Sequence, residues 1–360
     1  MNLGFGDLLR GLGGPILVTG HTGFKGTWLT LLLETLGIPV IGLSLAPSQD
    51  SLFDRASRSG IISEQYSDIR NINSVKAFMV AHQPAAVIHM AAQPLVMQSY
   101  LSPLDTFETN VMGTANILSA AFEQPSVKAI VVVTTDKVYR NDNALKAFVE
   151  SDPLEGKDPY SSSKVGAESV ITAWQQIARI YGGPKLVSVR AGNVIGGGDW
   201  AQNRLMPDLV RGFIARESIP IRSPHSTRPW QHVLDPLIGY LMVLEAVLTE
   251  HKIDSINFGP EGDSLTVKDV VEISSRVWPN EVNVNFNFES NATSVEAINL
   301  QLNSTYAREI IGWSPYWSQR HAVESTIKWW DKVINKSLPP ILAIKEDLDY
   351  LTNCFNPRNR

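Results

Sequence analysis

One cysteine stands in 360 residues, Cys354 near the C-terminal end. That scarcity excludes an internal disulfide framework and any metal cluster built from cysteines. Cationic excess is missing as well: 31 Lys and Arg are outnumbered by 36 Asp and Glu, for a net charge of -5. No basic run stands out either, so the electrostatic footprint of nucleic-acid binding is absent. No apolar stretch approaches the ~20 residues that span a bilayer. Residues 1–14 lack the basic-then-apolar order of a signal peptide. A cytoplasmic protein with no membrane partner is the expectation. Internal repeats, low-complexity tracts and heptads are also wanting. What is present is 44% hydrophobic and 19% charged, which suits a soluble globular protein of two lobes.

The first organised stretch is Ile16-Leu17-Val18-Thr19, a short apolar run that reads as a buried strand. It passes into Gly20-His21-Thr22-Gly23-Phe24-Lys25-Gly26 and then a helix from Trp28 to Leu36, with Gly37 as its C-terminal stop. Pro39 to Leu43 supplies a second strand. In such a βαβ unit, glycines at 20, 23 and 26 let the backbone approach a pyrophosphate seated on the helix N-terminus. One feature of an NAD site is absent: no acid ends the second strand to bind the ribose hydroxyls. No arginine stands there for a 2′-phosphate, although Arg55 and Arg58 lie farther on. NAD over NADP is therefore a preference.

A polar segment around Asp68-Ile69-Arg70 precedes a helix over Ser74 to His82. Pro84 to Met90 reads as a strand ending in the small residues Ala91-Ala92, as a cofactor lying across a sheet edge requires. A long helix over Thr106 to Phe122 carries Asn110. Ala129 to Val133 is the strongest strand and ends in Thr134-Thr135-Asp136-Lys137, which places hydroxyl, acid and amine at one strand end. Residues 141–155 read as a loop over the site. Asp158-Pro159-Tyr160-Ser161-Ser162-Ser163-Lys164 opens a further helix, with proline suited to its first turn. Tyr160 and Lys164, four apart, share a helix face, so the ammonium would draw the phenol down towards a general base. Ordinary helix surfaces carry the same spacing, so the pair alone decides nothing.

Lys185 to Arg190 gives another strand, followed by Gly196-Gly197-Gly198, a mobile or closely approached backbone. Of the arginines beyond it, Arg204 and Arg228 sit beside motif-like residues, and guanidinium groups suit a bidentate grip on phosphate. His232 fits a packed polar residue better than a catalytic one. Asp235 to Thr249 reads as a helix, Ile256 to Gly259 as a last strand, and Thr266 as the N-cap of another helix. Four tryptophans (313, 317, 329, 330) mark a small mixed lobe with a terminal helix. Residues 336–360 read as a mobile or docking tail.

Gly20-x-x-Gly23-x-x-Gly26, Asp68-Ile69, Ala91-Ala92, Asn110, Thr135 and Tyr160-x-x-x-Lys164 together resemble the extended short-chain dehydrogenase/reductase family, from about Ile16 to Trp330. Within it the chain looks most like the CDP-glucose 4,6-dehydratase branch. The residues behind this are 20–26, His89 to Val96, Thr135-Asp136-Lys137 (other sugar-nucleotide 4,6-dehydratases carry Thr-Asp-Glu), 190–200 and 228–233. Asn303, Val295 and the loop 140–156 depart from the branch.

The resemblance implies an α/β fold, a doubly wound parallel (Rossmann-type) sheet with a smaller mixed α/β lobe. Residues 14–192, rejoined by about 230–262, would bind the dinucleotide, and 193–229 with 263–335 the nucleotide sugar. It implies NAD held by Gly20, Gly23, Phe24, Lys25, Gly26, Asp68, Ile69, Ala91, Ala92, Asn110, Tyr160 and Lys164. Thr135, Asp136, Lys137, Tyr160 and Lys164 would be catalytic. Gln93, Asn193, Arg204 and Arg228 would hold the substrate, and no metal is implied. Lys137 stands either as the base at sugar C5 or as a stabiliser of the enolate. A homodimer or dimer of dimers, paired through the helices around Asn110 and Tyr160, is implied too. The alternatives are an epimerase or dehydratase for another nucleotide sugar, and a non-catalytic NAD-sensing protein.

Overall fold

Runs that are apolar on every residue must be covered on both faces, which a parallel sheet between helices provides. The computed structural model describes residues 5–142, 146–221, 223–249, 251–262, 264–286 and 300–354. Seven strands form one sheet: β1 (Ile16–Thr19), β2 (Val40–Ser44), β3 (Ser63–Tyr66), β4 (Ala86–His89), β5 (Ala129–Val133), β6 (Lys185–Ala191) and β7 (Ser255–Phe258). Their order is β7-β6-β5-β4-β1-β2-β3, and every pairing is parallel. The doubly wound sheet expected from the sequence is therefore present. Its connections reverse direction between β1 and β4, so a crevice opens beyond their carboxyl ends. Thr19 and His89 are register partners at that edge.

Alternate strand residues feed two cores. Ile16, Val18, Val131 and Val133 face one side with α1 (Phe24–Thr35). Leu17, Ile130 and Val132 face the other with α2 (Ile72–His82), α3 (Gly113–Phe122) and α4 (Pro159–Tyr181). The first core continues without a break through α5 (Leu205–Ala215), α6 (Leu234–Leu248), α7 (Val267–Val277), α8 (Gln319–Ile334) and α9 (Pro340–Cys354). Trp313, Trp317, Trp329 and Trp330 are buried inside it. Small two-residue pairings lie outside the sheet, Ile219–Pro220 on Val284–Asn285 and Ala147–Phe148 on Gln301–Leu302.

Three elements differ from the sequence reading. The polar segment before Asp68 contains the edge strand β3, whose half-exposed residues carry no apolar run. The helix expected over 106–122 begins at Pro103 and passes through a π-helical segment, Glu108–Met112, at Asn110. The C-terminal tail is largely α9, docked by Ala343, Ile344, Leu348 and Leu351. No helix among the described residues is long and apolar enough to cross a membrane.

Candidate active site

Close packing dictates the turn from β1 into α1. Gly20 adopts φ +75°, and a Cβ there would lie 2.9 Å from the Ala91 backbone. At Gly26 a Cβ would sit 2.1 Å from the Gly20 carbonyl oxygen. Gly23 is the N-cap of α1 and no side chain caps it, which leaves the first N–H groups open to the crevice. Phe24 and Lys25 form the first turn. The Lys25 Nζ donates to the Tyr240 hydroxyl at 2.8 Å. Burial, with the charges of Lys164 and Arg204 nearby, brings that amine down to about 7. Bare backbone donors and converging cations fit a dinucleotide pyrophosphate.

At the end of β2, Ser44 is hydrogen-bonded to Thr22 at 2.7 Å. Both arginines that the sequence offers for a 2′-phosphate have partners within the chain. Arg58 is buried and paired with Glu34, and Arg55 pairs with Asp50 at 3.7 Å while covering Trp200. Asp68 is half-buried and bonded to Arg70, and Ile69 packs where a Cβ on Gly113 would come within 2.5 Å. Ala91 and Ala92 lie at the crevice edge, half-buried.

Beneath them runs a directed chain of buried hydrogen bonds. The Thr19 Oγ1 receives the Met90 and Ala91 N–H groups, so its proton goes to His89 Nδ1 at 2.7 Å. Burial and the nearby Lys164 charge hold that imidazole down at about 3, hence neutral. Its Nε2 meets Thr114 Oγ1 at 3.1 Å, and Thr114 donates to the Asn110 carbonyl. The Asn110 side chain donates to Ser163 Oγ at 2.9 Å and pairs with the Gln93 backbone. The Gln93 side chain is bonded to Leu95 and Thr106, so it braces its own loop.

An Asp158–Ser161 capping box fixes the start of α4, with Pro159 in the first turn. Tyr160 is 8% exposed, and the Thr135 side chain lies beside its phenol. Burial pushes that phenol up to about 12, with Thr135 and Arg204 opposing. The expected lowering by Lys164 is absent from this structure. The Lys164 amine donates to the Val133 carbonyl at 3.2 Å and is itself brought down to about 8 by burial. When both groups leave water, the charged form of each is disfavoured.

The strand end turns through a 3-10 helix, Asp136–Val138. Thr135 donates to Asp136 Oδ1 at 3.0 Å and accepts from the Lys137 N–H. Burial raises the Asp136 carboxyl to about 6, although Lys137, Thr135 and Arg228 pull the other way. Lys137 is only half-buried. A Cβ on Gly192 would lie 2.4 Å from Pro229 and 3.2 Å from Asp136 Oδ2, so the loops bearing Asn193 and Arg228 close directly over this acid. Asn193 is half-buried, and its carbonyl accepts from the Gln231 N–H. Arg204 pairs with Asp199 at 3.1 Å, and its charge reaches both Lys25 and Tyr160.

The glycine triplet is a close approach. A Cβ on Gly197 would fall 1.9 Å from Trp329, and one on Gly198 would fall 2.3 Å from Leu52. Trp28 Nε1 donates to the Gly197 carbonyl at 3.0 Å. His232 is packed, stacked on Trp317 at 4.2 Å. Asn303 uses its side chain on the Thr305 N–H, and Val295 lies outside the described residues. The sequence reading missed His89, Ser163, Asp199 and also Glu168, whose carboxylate accepts from the Thr134 hydroxyl at 2.6 Å. His89 had a legible signal as the polar residue ending a buried strand, and Glu168 as the residue four beyond Lys164 on the same helix face. No group of three or more metal-ligating side chains converges among the described residues.

The model of the NAD dependent epimerase/dehydratase family matches residues 16–259. The CDP-glucose 4,6-dehydratase of Salmonella typhimurium is 38% identical over 349 residues, covering 94% of this chain and 97% of its own. The dTDP-glucose 4,6-dehydratase of Haemophilus influenzae is 25% identical over 339 residues, covering 88% and 97%. Among solved structures, the dTDP-glucose 4,6-dehydratase of Streptomyces venezuelae with NAD bound superposes with a TM-score of 0.77 at 23% identity, covering 91% and 99%.

Proposed function

The chain belongs to the NAD dependent epimerase/dehydratase family, and we propose that within it this enzyme is a CDP-glucose 4,6-dehydratase. It converts CDP-D-glucose to CDP-4-keto-6-deoxy-D-glucose and water. The observation that carries the reading is the junction of two chemistries at the end of β5. Tyr160 meets Thr135, and Thr135 meets a buried acid, Asp136, poised near neutrality. An epimerase acting at C4 has no use for that acid.

NAD, when bound along the β1–β4 crevice, supplies reversible hydride acceptance, and its positive ring favours the phenolate beside it. Gly20, Gly23, Phe24, Lys25 and Gly26 hold its diphosphate, with Asp68, Ile69, Ala91, Ala92 and Asn110 lining the rest. Tyr160 takes the proton of the sugar 4-hydroxyl, Thr135 orients that hydroxyl, and Lys164 stabilises the charge that develops. Once C4 is a ketone, the C5 hydrogen is acidic. Asp136 gives its proton to the departing 6-hydroxyl, and Lys137, next in the chain, serves as the C5 base or steadies the enolate. Asn193, Arg204 and Arg228 grip the nucleotide diphosphate, and Gln93 braces the loop beside it. Residues 193–229 and 263–335 form the sugar-nucleotide lobe.

A homodimer fits the exposed Met97, Leu101, Leu104, Phe107 and Met112 on the segments flanking Asn110. Their segments lie against α4, and among the described residues nothing covers these side chains. The assay is incubation with CDP-glucose, UDP-glucose and dTDP-glucose, followed by alkali. CDP-glucose is expected to give the absorbance of a 4-keto product. A 4-epimer with no such absorbance would refute the reading.

A further inference from the structure

The turn that carries Thr135, Asp136 and Lys137 is anchored at both ends by one buried ion pair. Glu168 and Arg190 are 4% and 5% exposed. Arg190 grips both Glu168 oxygens, Nε and Nη2 each at 2.9 Å. On the strand side of the turn, Thr134 donates to Glu168 Oε1 at 2.6 Å, and Ser188 of β6 does the same. On the far side, Arg190 Nη1 donates to the Tyr139 hydroxyl at 2.8 Å, which donates on to Asn257 at 2.7 Å. The Tyr139 ring lies between the Arg190 guanidinium, 5.1 Å away, and Phe148, stacked at 5.1 Å.

Glu168 also sits on α4, one turn beyond Lys164 and two beyond Tyr160. The pair is therefore the link between the helix that bears the oxidising groups and the turn that bears the eliminating groups. A hydrophobic pair of similar volume would serve stability about as well. What the ions add is direction, with four donors converging on one carboxylate.

We propose that Glu168 and Arg190 are positioning residues for the elimination step. Through Thr134 and Tyr139 they fix where Asp136 and Lys137 stand relative to the sugar held by Tyr160. This rests on the dehydratase reading above. Loosening either end of the turn should slow loss of water while leaving substrate binding, and removal of the C4 hydrogen, nearly intact.

The test uses Tyr139→Phe, which keeps the ring stack and removes only the hydroxyl link. Beside it stand Thr134→Val at the other end and Thr134→Ser as the conservative rescue, each checked for folding by circular dichroism. With CDP-glucose deuterated at C4 or at C5, Tyr139→Phe and Thr134→Val should lose about tenfold to a hundredfold in kcat. Their KM should stay within about twofold. The primary isotope effect at C4 should shrink and that at C5 should grow, and Thr134→Ser should restore the wild-type pattern. Unchanged kcat, or a fall with the two isotope effects in their wild-type ratio, would overturn the inference. If wild-type enzyme itself yields no 4-keto product, the dehydratase reading falls, and this inference with it.

Discussion

At the scale of the residue, burial sets the site's acid–base character. Asp136 is driven up to about 6 in a fully buried setting, so folding favours its protonated form. The stability this group contributes is present below its unfolded value near 4 and is lost as pH rises through about 6. Asp136→Asn should therefore be more stable than wild type at pH 8, on the order of 2 kcal/mol, and no more stable at pH 4. Thermal unfolding at the two pH values checks this, and equal differences at both would contradict it. The same variant should form no product, because the 6-hydroxyl then has no acid. Lys137→Ala separates that residue's two roles: if it is the C5 base, solvent deuterium should enter C5 far more slowly than in wild type. Tyr160, Lys164, Thr135 and Asp136 were legible because each occupies a helix face or strand end where spacing fixes placement. Their charge states were not, since a sequence does not say how much water is excluded. The network of His89, Thr19 and Asn110 was hidden for a related reason: its members are about 20 to 90 residues apart and meet only through sheet register.

At the scale of the element, the strands that were easy to read were those buried on both faces, where β-branched residues run uninterrupted. β3 escaped because an edge strand needs no such run; its Glu64 is spent on His21 of the glycine turn at 2.7 Å. The glycine triplet shows the same limit. Its composition says only that side chains are unwelcome, and the packing of Trp329 and Leu52 says why. Gly197→Ala should cost roughly 1–3 kcal/mol by overpacking against Trp329. It should also weaken NAD binding, since the Trp28 bond to that loop carries the strain into α1; calorimetry of both quantities checks the pair. α9, read from the sequence as a tail, earns its place by burial. Leu348→Ala, at 2% exposure, should destabilise the whole protein by roughly 2–5 kcal/mol, seen as a lower denaturant midpoint. A free tail would leave that midpoint unchanged.

At the scale of the whole molecule, the crevice at the switch point of the sheet meets the loops bearing Gly192 and Pro229 at one acid, Asp136. The reaction depends on that meeting. Assembly belongs to this scale too. If the proposed dimer forms, Leu104→Asp, in the exposed apolar strip near Asn110, should turn it into monomers in sedimentation; a mass equal to wild type would contradict that interface. The central claim is that one sugar is oxidised at C4 and reduced at C6 without leaving the site. It is tested most directly with CDP-glucose deuterated at C4 and converted in ordinary water, with the product followed by NMR and mass spectrometry. The account predicts a 4-keto-6-deoxy sugar whose C6 methyl carries the deuterium that began at C4 of the same molecule. Deuterium retained at C4, or product that has lost it, would contradict the account.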